Sequence, residues 1–558
     1  MIRRLTSCVL TCAIGAISPA YGQFGRGGDW TTSGNDAQRS SWLRSDPKIS
    51  MASMQKPGFQ FLWKMKLDNA ARQLNSLTTP VLMDRLIGYK GFRSLAFVGG
   101  SSDKVFVMDT DLARMEWQIQ LPGAAPQQGT PECPGGLTSA LTRPTSLPFP
   151  QAPGAGGGGG GFGRGGPAKS GVGEPDQGAI TLTIANAPRP GGPGGPPGGP
   201  GGPGGPGARP GRPGAGGPPG GSGGFGAPSA VFALSSSGMI HTLNVQNGLD
   251  AQPPVKFLPP NANASGLILV DYLAYATTDQ SCGGAPNGVW ALDFATKQVT
   301  NWTSTSGIAG TGGPALGPDG TVYVTTKGGD LAALEPATLK HKASYKAGQE
   351  FSSSPVLFEF KGKTLAAAAT TDGRLHLLDT AALATPLDKS ASYSSASDFR
   401  AGALSSWQDA AGTRWVLAPS AGAVPPDARF TVSNGSVASG AIVAWKVVDR
   451  NGAPALETGW VSRDMISPLP PMIINGVIFA VASGEFRGDP KLTAAQRAQR
   501  SAPAVLYALD GATGKELWSS GKTITSFAHS GGLSAGGSQL YLGTYDGTLY
   551  AFGFPIEH

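Results

Sequence analysis

Apolar residues along this chain alternate with small or polar ones in short runs, and glycine-containing turns separate the runs. The clearest case lies near the C-terminus, where Ala504-Val-Leu-Tyr-Ala-Leu-Asp510 leads through Gly511-Ala-Thr-Gly514 into Lys515-Glu-Leu-Trp518. Period-two alternation broken by turn residues predicts an antiparallel hairpin. Weaker copies run from Val105 to Trp117, from Gly288 to Trp302, from Leu331 to Tyr345, from Arg374 to Tyr393 and from Ala441 to Trp460. A further pair of strands precedes each, as in Ser353–Leu357 followed by Thr364–Thr370. Four strands in a unit of roughly forty or more residues is the period of a propeller blade.

Naming the strands A to D from the channel outwards, outer D strands are expected to end near Trp117, Phe257, Trp302, Tyr345, Tyr393, Trp460 and Trp518. The last repeat, Gln539 to Phe552, supplies B and C strands but no D strand, while Phe61-Leu-Trp-Lys-Met-Lys-Leu67 reads as a D strand with no blade before it. The pattern therefore predicts an all-β, eight-bladed β-propeller of four-stranded antiparallel blades, closed by its own N-terminal strand. Closure removes the free edges that invite aggregation. In domain terms this gives a signal peptide over 1–22, an N-terminal extension over 23–57 and a propeller over 58–558.

Composition adds one interruption and an address. Gly (85) and Pro (47) are concentrated in a tract over 154–226 within blade 2, too poor in apolar side chains to offset its ordering entropy, so disorder is expected there. Ala179-Ile-Thr-Leu-Thr-Ile184 inside it is a plausible strand. Arg3 and Arg4, the short apolar run Cys8–Ile17 and the small residues before Gln23 read as a secretory signal, so the mature chain is expected in the periplasm or outside the cell. No later run is long and apolar enough for a transmembrane helix. The net charge of +7 is scattered without a basic run, which gives nucleic-acid binding no support. Cys8 and Cys12 leave with the signal. Cys133 and Cys282 remain, with no CxxC and no CxxCH haem-attachment motif.

The string Leu506-Tyr-Ala-Leu-Asp-Gly-Ala-Thr-Gly-Lys-Glu-Leu-Trp518 resembles the blade motif of the quinoprotein (pyrroloquinoline quinone, PQQ) propeller family. Asp29-Trp-Thr-Thr-Ser-Gly-Asn-Asp-Ala-Gln-Arg39 is similar to the segment that opens many quinoproteins. The resemblance covers roughly residues 29 to 558 apart from the Gly/Pro tract. It implies the propeller, and PQQ with calcium where the catalytic branch is concerned, but non-enzymatic envelope scaffolds share the motif. The adjacent cysteine pair of quinoprotein alcohol dehydrogenases has no counterpart here, and their calcium ligands and catalytic aspartate cannot be matched residue by residue.

Strand direction narrows the search for a site. The D–A links and B–C loops share one face, here the loop face, and the A–B and C–D turns share the other, the turn face. Cys133 falls in a D–A link and Cys282 in the B–C loop of the adjacent blade, so a disulfide and two free thiols are both open. Long loops around Ala421–Ser439 and Gly484–Ser501 also fall on the loop face, where a rigid scaffold commonly displays function. Glu350, Arg400 and His529 lead into A strands near the channel mouth. Arg400 and Arg487 have the charge to hold an anionic ligand such as a tricarboxylate quinone, and His529 to bind or relay a proton. His376 and His241 sit in alternating apolar strands and read as packed residues, and His341 as surface. Nucleotide loops, nucleophile elbows and zinc helices are missing from the sequence. The expected function is a binding platform for a small ligand or a protein, with a PQQ-dependent dehydrogenase of alcohols or sugars and an envelope assembly scaffold as alternatives.

Overall fold

The computed structural model describes residues 29–148 and 230–555, less 89–90, 126–128, 398, 490 and 530–531. The signal-like N-terminus and the whole Gly/Pro tract, with the strand expected at Ala179–Ile184, lie outside the described residues. Eight sheets are arranged in chain order, most of them four antiparallel strands meandering outwards. The ring closes as the sequence pattern predicts: Gln60–Lys66 pairs antiparallel with Thr548–Gly553, in register from Gln60 opposite Gly553 to Lys66 opposite Thr548.

The alternation explains the packing. Central strands such as Val477–Ala482 and Thr548–Gly553 are buried along their whole length because both faces of each blade meet a neighbouring blade. Outer strands such as Gln60–Lys66 and Arg114–Gln120 alternate with exposed positions. Tryptophans at the outer strands lock successive blades. Trp117 Nε1 donates to Val245 O at 2.9 Å and Trp460 Nε1 to Gly511 O at 2.9 Å. The Trp460 ring lies against Gly514, which holds φ +71°, and a Cβ there would fall 2.3 Å from the ring. Glycine in this turn thus serves both its left-handed backbone and the indole above it.

Several blades depart from the simple pattern. In blade 2 the strands Ala230–Leu234, Met239–Asn244 and Asp250–Lys256 form the sheet, and the inner position is reduced to one bridge, Thr142 to Phe232. Pro144, which has no N–H to offer, turns the chain towards blade 3, where Pro144–Thr145 runs parallel to Leu269–Val270. In blade 5 the outer strand is Pro386–Lys389, so it stops short of Tyr393. That aromatic is instead fully buried, edge-on to Phe399 and Trp445 between blades 5 and 6. In blade 6 part of the long B–C loop adds an outermost strand, Val432–Ser433, parallel to Trp460–Val461, so this loop covers an outer edge.

The segment that precedes the closing strand is woven into the channel. Its carbonyls accept from Leu82 N (Trp30 O, 2.9 Å), Arg143 N (Thr31 O, 2.8 Å), Leu316 N (Ala37 O, 2.7 Å), Leu357 N (Gln38 O, 3.0 Å), Ser406 N (Ser40 O, 3.0 Å) and Ile473 N (Ser41 O, 2.9 Å). Thr32 Oγ1 reaches Leu267 O of blade 3 at 2.9 Å, and Asp46 takes Ser538 N of blade 8 at 3.0 Å. The chain thus visits blades 1 to 8 in order along their inner edges, pairing backbone groups that would otherwise face an open channel. Arg39 sits inside this coil, 2% exposed. It donates to Pro314 O (2.9 Å), Thr32 Oγ1 (3.0 Å), Ser33 O (2.6 Å) and Gly266 O (2.6 Å).

Candidate functional site

The most developed feature of the loop face is the B–C loop of blade 7. Gly484, at φ +72°, turns the chain off the strand Val477–Ala482, and Ala502 N closes the loop on Gly484 O at 2.8 Å. Within the loop, Thr493 and Gln496 form a reciprocal capping box that starts the helix Ala494–Arg500. Ala494 packs with Leu74 and Phe527, and Ala498 and Tyr545 join them, so the helix roofs the junction of blades 8 and 1.

Beneath this roof Glu485 is buried, with two arginines and a histidine around it. Arg487 Nε and Nη2 both donate to Oε2, at 3.0 and 2.9 Å. Arg497 Nη1 approaches Oε1 at 3.4 Å, and His529 Nδ1 lies 3.1 Å from the same oxygen. Burial alone would raise the carboxyl, but the His529 contact and the Arg487 charge outweigh it and hold Glu485 at about 2. It therefore stays ionised at neutral pH and neutralises part of the charge that a bound anion would need.

The four residues singled out as ligand-binding fall into two sets. Arg487 and His529 share Glu485. Arg400 and Glu350 form their own ion pair at 3.6 Å between the lead-ins to blades 6 and 5, and Arg400 Nη1 also donates to Phe399 O at 2.8 Å. Among the described residues, no hydrogen bond or ion pair joins the two sets. Two residues after Arg400 the backbone forms a collar: Thr311 N and Ser354 N both donate to Gly402 O, at 2.9 and 3.0 Å, and Gly312 N to Ser354 Oγ at 3.0 Å. Lead-ins of blades 4, 5 and 6 are thereby bonded to one another.

A PQQ–calcium pair would need uncompensated cations for the three carboxylates of the quinone and a convergent set of oxygen ligands for the metal. The candidate cations here each have an internal carboxylate. Among the described residues, no group of three or more His, Cys, Asp or Glu side chains is placed to hold a metal ion. Among the described residues, no such site for that cofactor is shown.

Glu485 and Arg497 are the members of this cluster that the sequence reading did not single out. The Glu-x-Arg spacing inside a loop was visible, but that the helix would fold its Arg497 back onto Glu485 was not. Elsewhere, Cys133 and Cys282 are bonded to each other, tying blade 2's lead-in to blade 3. His376 is a packed residue, with Nδ1 2.9 Å from Tyr345 Oη and Nε2 3.2 Å from Thr370 Oγ1. His241 is buried with Nδ1 3.0 Å from Asp250, and His341 is exposed. No helix among the described residues is long and apolar enough to cross a membrane.

No protein-family model matches the chain, and no curated protein sequence matches it. Among solved structures it is similar to BamB from Moraxella catarrhalis, at 12% identity over 90% of this chain and 99% of that one, TM-score 0.46. It is similar to the quinohemoprotein alcohol dehydrogenase from Comamonas testosteroni, at 12% identity over 96% of this chain and 81% of that one, TM-score 0.48. It is also similar to a europium-containing methanol dehydrogenase, at 10% identity over 95% of this chain and 99% of that one, TM-score 0.48. At these identities the likeness is one of fold alone.

Proposed function

We propose that this chain is an exported binding platform for a small ligand or a protein, and that it does not work as a quinone-dependent dehydrogenase. The observation that carries the reading is charge compensation. Arg487, Arg497 and His529 surround Glu485, and Arg400 pairs with Glu350, so an anionic quinone would have to compete with an internal carboxylate at each of these groups. The channel itself is lined by the N-terminal segment, with Arg39 fully engaged. Export is supported by the signal-like N-terminus and by a disulfide of the kind that persists in oxidising compartments.

The test is a titration of the mature protein with PQQ and calcium, following quinone absorbance and melting temperature. The reading expects neither saturable binding nor stabilisation at high micromolar quinone. Saturable binding with a rise in Tm would overturn it in favour of the dehydrogenase, since a ligand that binds only the folded state must stabilise it.

A further inference from the structure

We propose that the turn face carries a binding pocket for one ring of a neutral saccharide, built by the N-terminal segment at the mouth of the channel. A cavity of about 260 Å³ opens there, lined by Asp36, Gln38, Trp42, Leu43, Arg44 and Pro148 among others. It is smaller than the ~300–1,000 Å³ typical of drug-sized sites, which limits the occupant to about one sugar ring.

The chemistry of the lining selects the ligand. Gln38 lines the cavity and is only 9% exposed, and its side-chain amide has no hydrogen-bond partner among the described residues. Its amide thus keeps a donor and an acceptor open to an incoming ligand. Trp42 Nε1 is a second donor without a partner among the described residues. The charged groups, by contrast, are occupied. Asp36 accepts from Ser40 N at 2.9 Å and from Ser40 Oγ at 2.5 Å. Arg44 lies 4.0 Å from Asp36 and covers the Trp42 ring at 4.5 Å.

An anion entering the cavity would have to displace Asp36 from Arg44, and a cation would meet Arg44 itself. A neutral ligand bearing hydroxyls avoids both costs. Its hydroxyls can donate to the spare lone pairs of Asp36 and to the Gln38 carbonyl, and accept from the Gln38 amide and the indole N–H. Leu43 and Pro148 supply apolar surface for the C–H side of the ring. The pocket lies on the face opposite Glu485, so it does not depend on what the loop face binds.

The experiment uses the mature full chain with cellobiose, maltose and N,N′-diacetylchitobiose as probes, by saturation-transfer NMR and calorimetry. At least one is expected to bind in the millimolar range. Gln38→Ala and Trp42→Phe, checked by unchanged Tm, are each expected to weaken that binding about fivefold or more. Loss of transfer signal for all three sugars at about 20 mM, or equal affinity in wild type and both variants, would overturn the proposal. Either negative result leaves the platform reading to the quinone titration.

Discussion

Arg39 is the group whose loss most directly tests how the channel is built. Its guanidinium donates to Gly266 O of blade 3 and Pro314 O of blade 4, besides Thr32 Oγ1 and Ser33 O on its own segment. Burial, with Asp36 working in the other direction, lowers its pKa to about 10, so it remains charged at neutral pH. Arg39→Met keeps much of the volume and removes every donor. Thr32 can rotate to another partner, but the carbonyls of Gly266 and Pro314 are left without a donor in a buried place, at about 1–3 kcal/mol each. Relief of the arginine's own desolvation offsets part of this. A net loss of about 3 kcal/mol follows.

Unfolding entropy near 2 cal/mol/K per residue means a ring of several hundred residues shifts by only about 1 °C per kcal/mol. The expected change in Tm is therefore a fall of about 3 °C, measurable by calorimetry at matched scan rate. Hydrogen exchange gives a local reading of the same event. The amides of Leu316 and Leu357, bonded to Ala37 O and Gln38 O, should exchange faster in the variant, while Phe552 in the closing blade should not change. A Tm within 1 °C of wild type together with unchanged exchange at Leu316 and Leu357 would refute the idea that this segment seals the blades.

The acid response should show two separable windows. His376 is held neutral, chiefly by burial and then by Lys389, with its pKa lowered to about 4 from 6.5, so stability falls as pH drops from 6.5 towards 4 while only the unfolded chain takes up the proton. Glu485, at about 2 against an ordinary 4.5, contributes stability present above 4.5 and lost as pH falls through about 2, up to about 3 kcal/mol. Urea unfolding across pH should therefore lose its upper slope in His376→Asn and its lower slope in Glu485→Gln; an unaltered profile in either variant contradicts the assignment. The Cys133–Cys282 bond closes a separation of 149 residues, for which chain entropy sets a ceiling of about 5 kcal/mol. Reduction should lower Tm by a few degrees, and the Cys133→Ser, Cys282→Ser double variant should match the reduced protein and no longer respond to reductant.

The ring itself was legible because it repeats. Each blade restates the alternation of Leu506-Tyr-Ala-Leu-Asp510, and the missing last D strand pointed to Phe61–Leu67, which closes blade 8 against Thr548–Gly553. Departures came where one residue outweighed the period. Pro144 diverts the inner strand of blade 2, and Tyr393 leaves the outer strand of blade 5 for an aromatic pocket. The channel segment was opaque for a different reason. Asp29 to Arg39 is polar and without period, and its order comes from donors on four other stretches of chain that no local pattern records. The loop-face cluster was half visible: residue type and face pointed to Arg487 and His529, but the carboxylate that occupies them became apparent only through the fold of the loop.

That carboxylate changes what can be inferred from cations in a propeller mouth. An arginine near the axis is evidence for an anionic ligand only while its charge is unanswered, and Glu485 is held ionised by the very groups that would otherwise recruit one. Replacing it would do more than loosen the roof. Glu485→Gln keeps the shape of the side chain but leaves Arg487, Arg497 and His529 without their counter-charge, which is the condition a tricarboxylate needs. In the wild type an anion on the loop face must therefore compete with Glu485, while Gln38 and Trp42 on the turn face have side-chain hydrogen-bonding groups without a partner among the described residues.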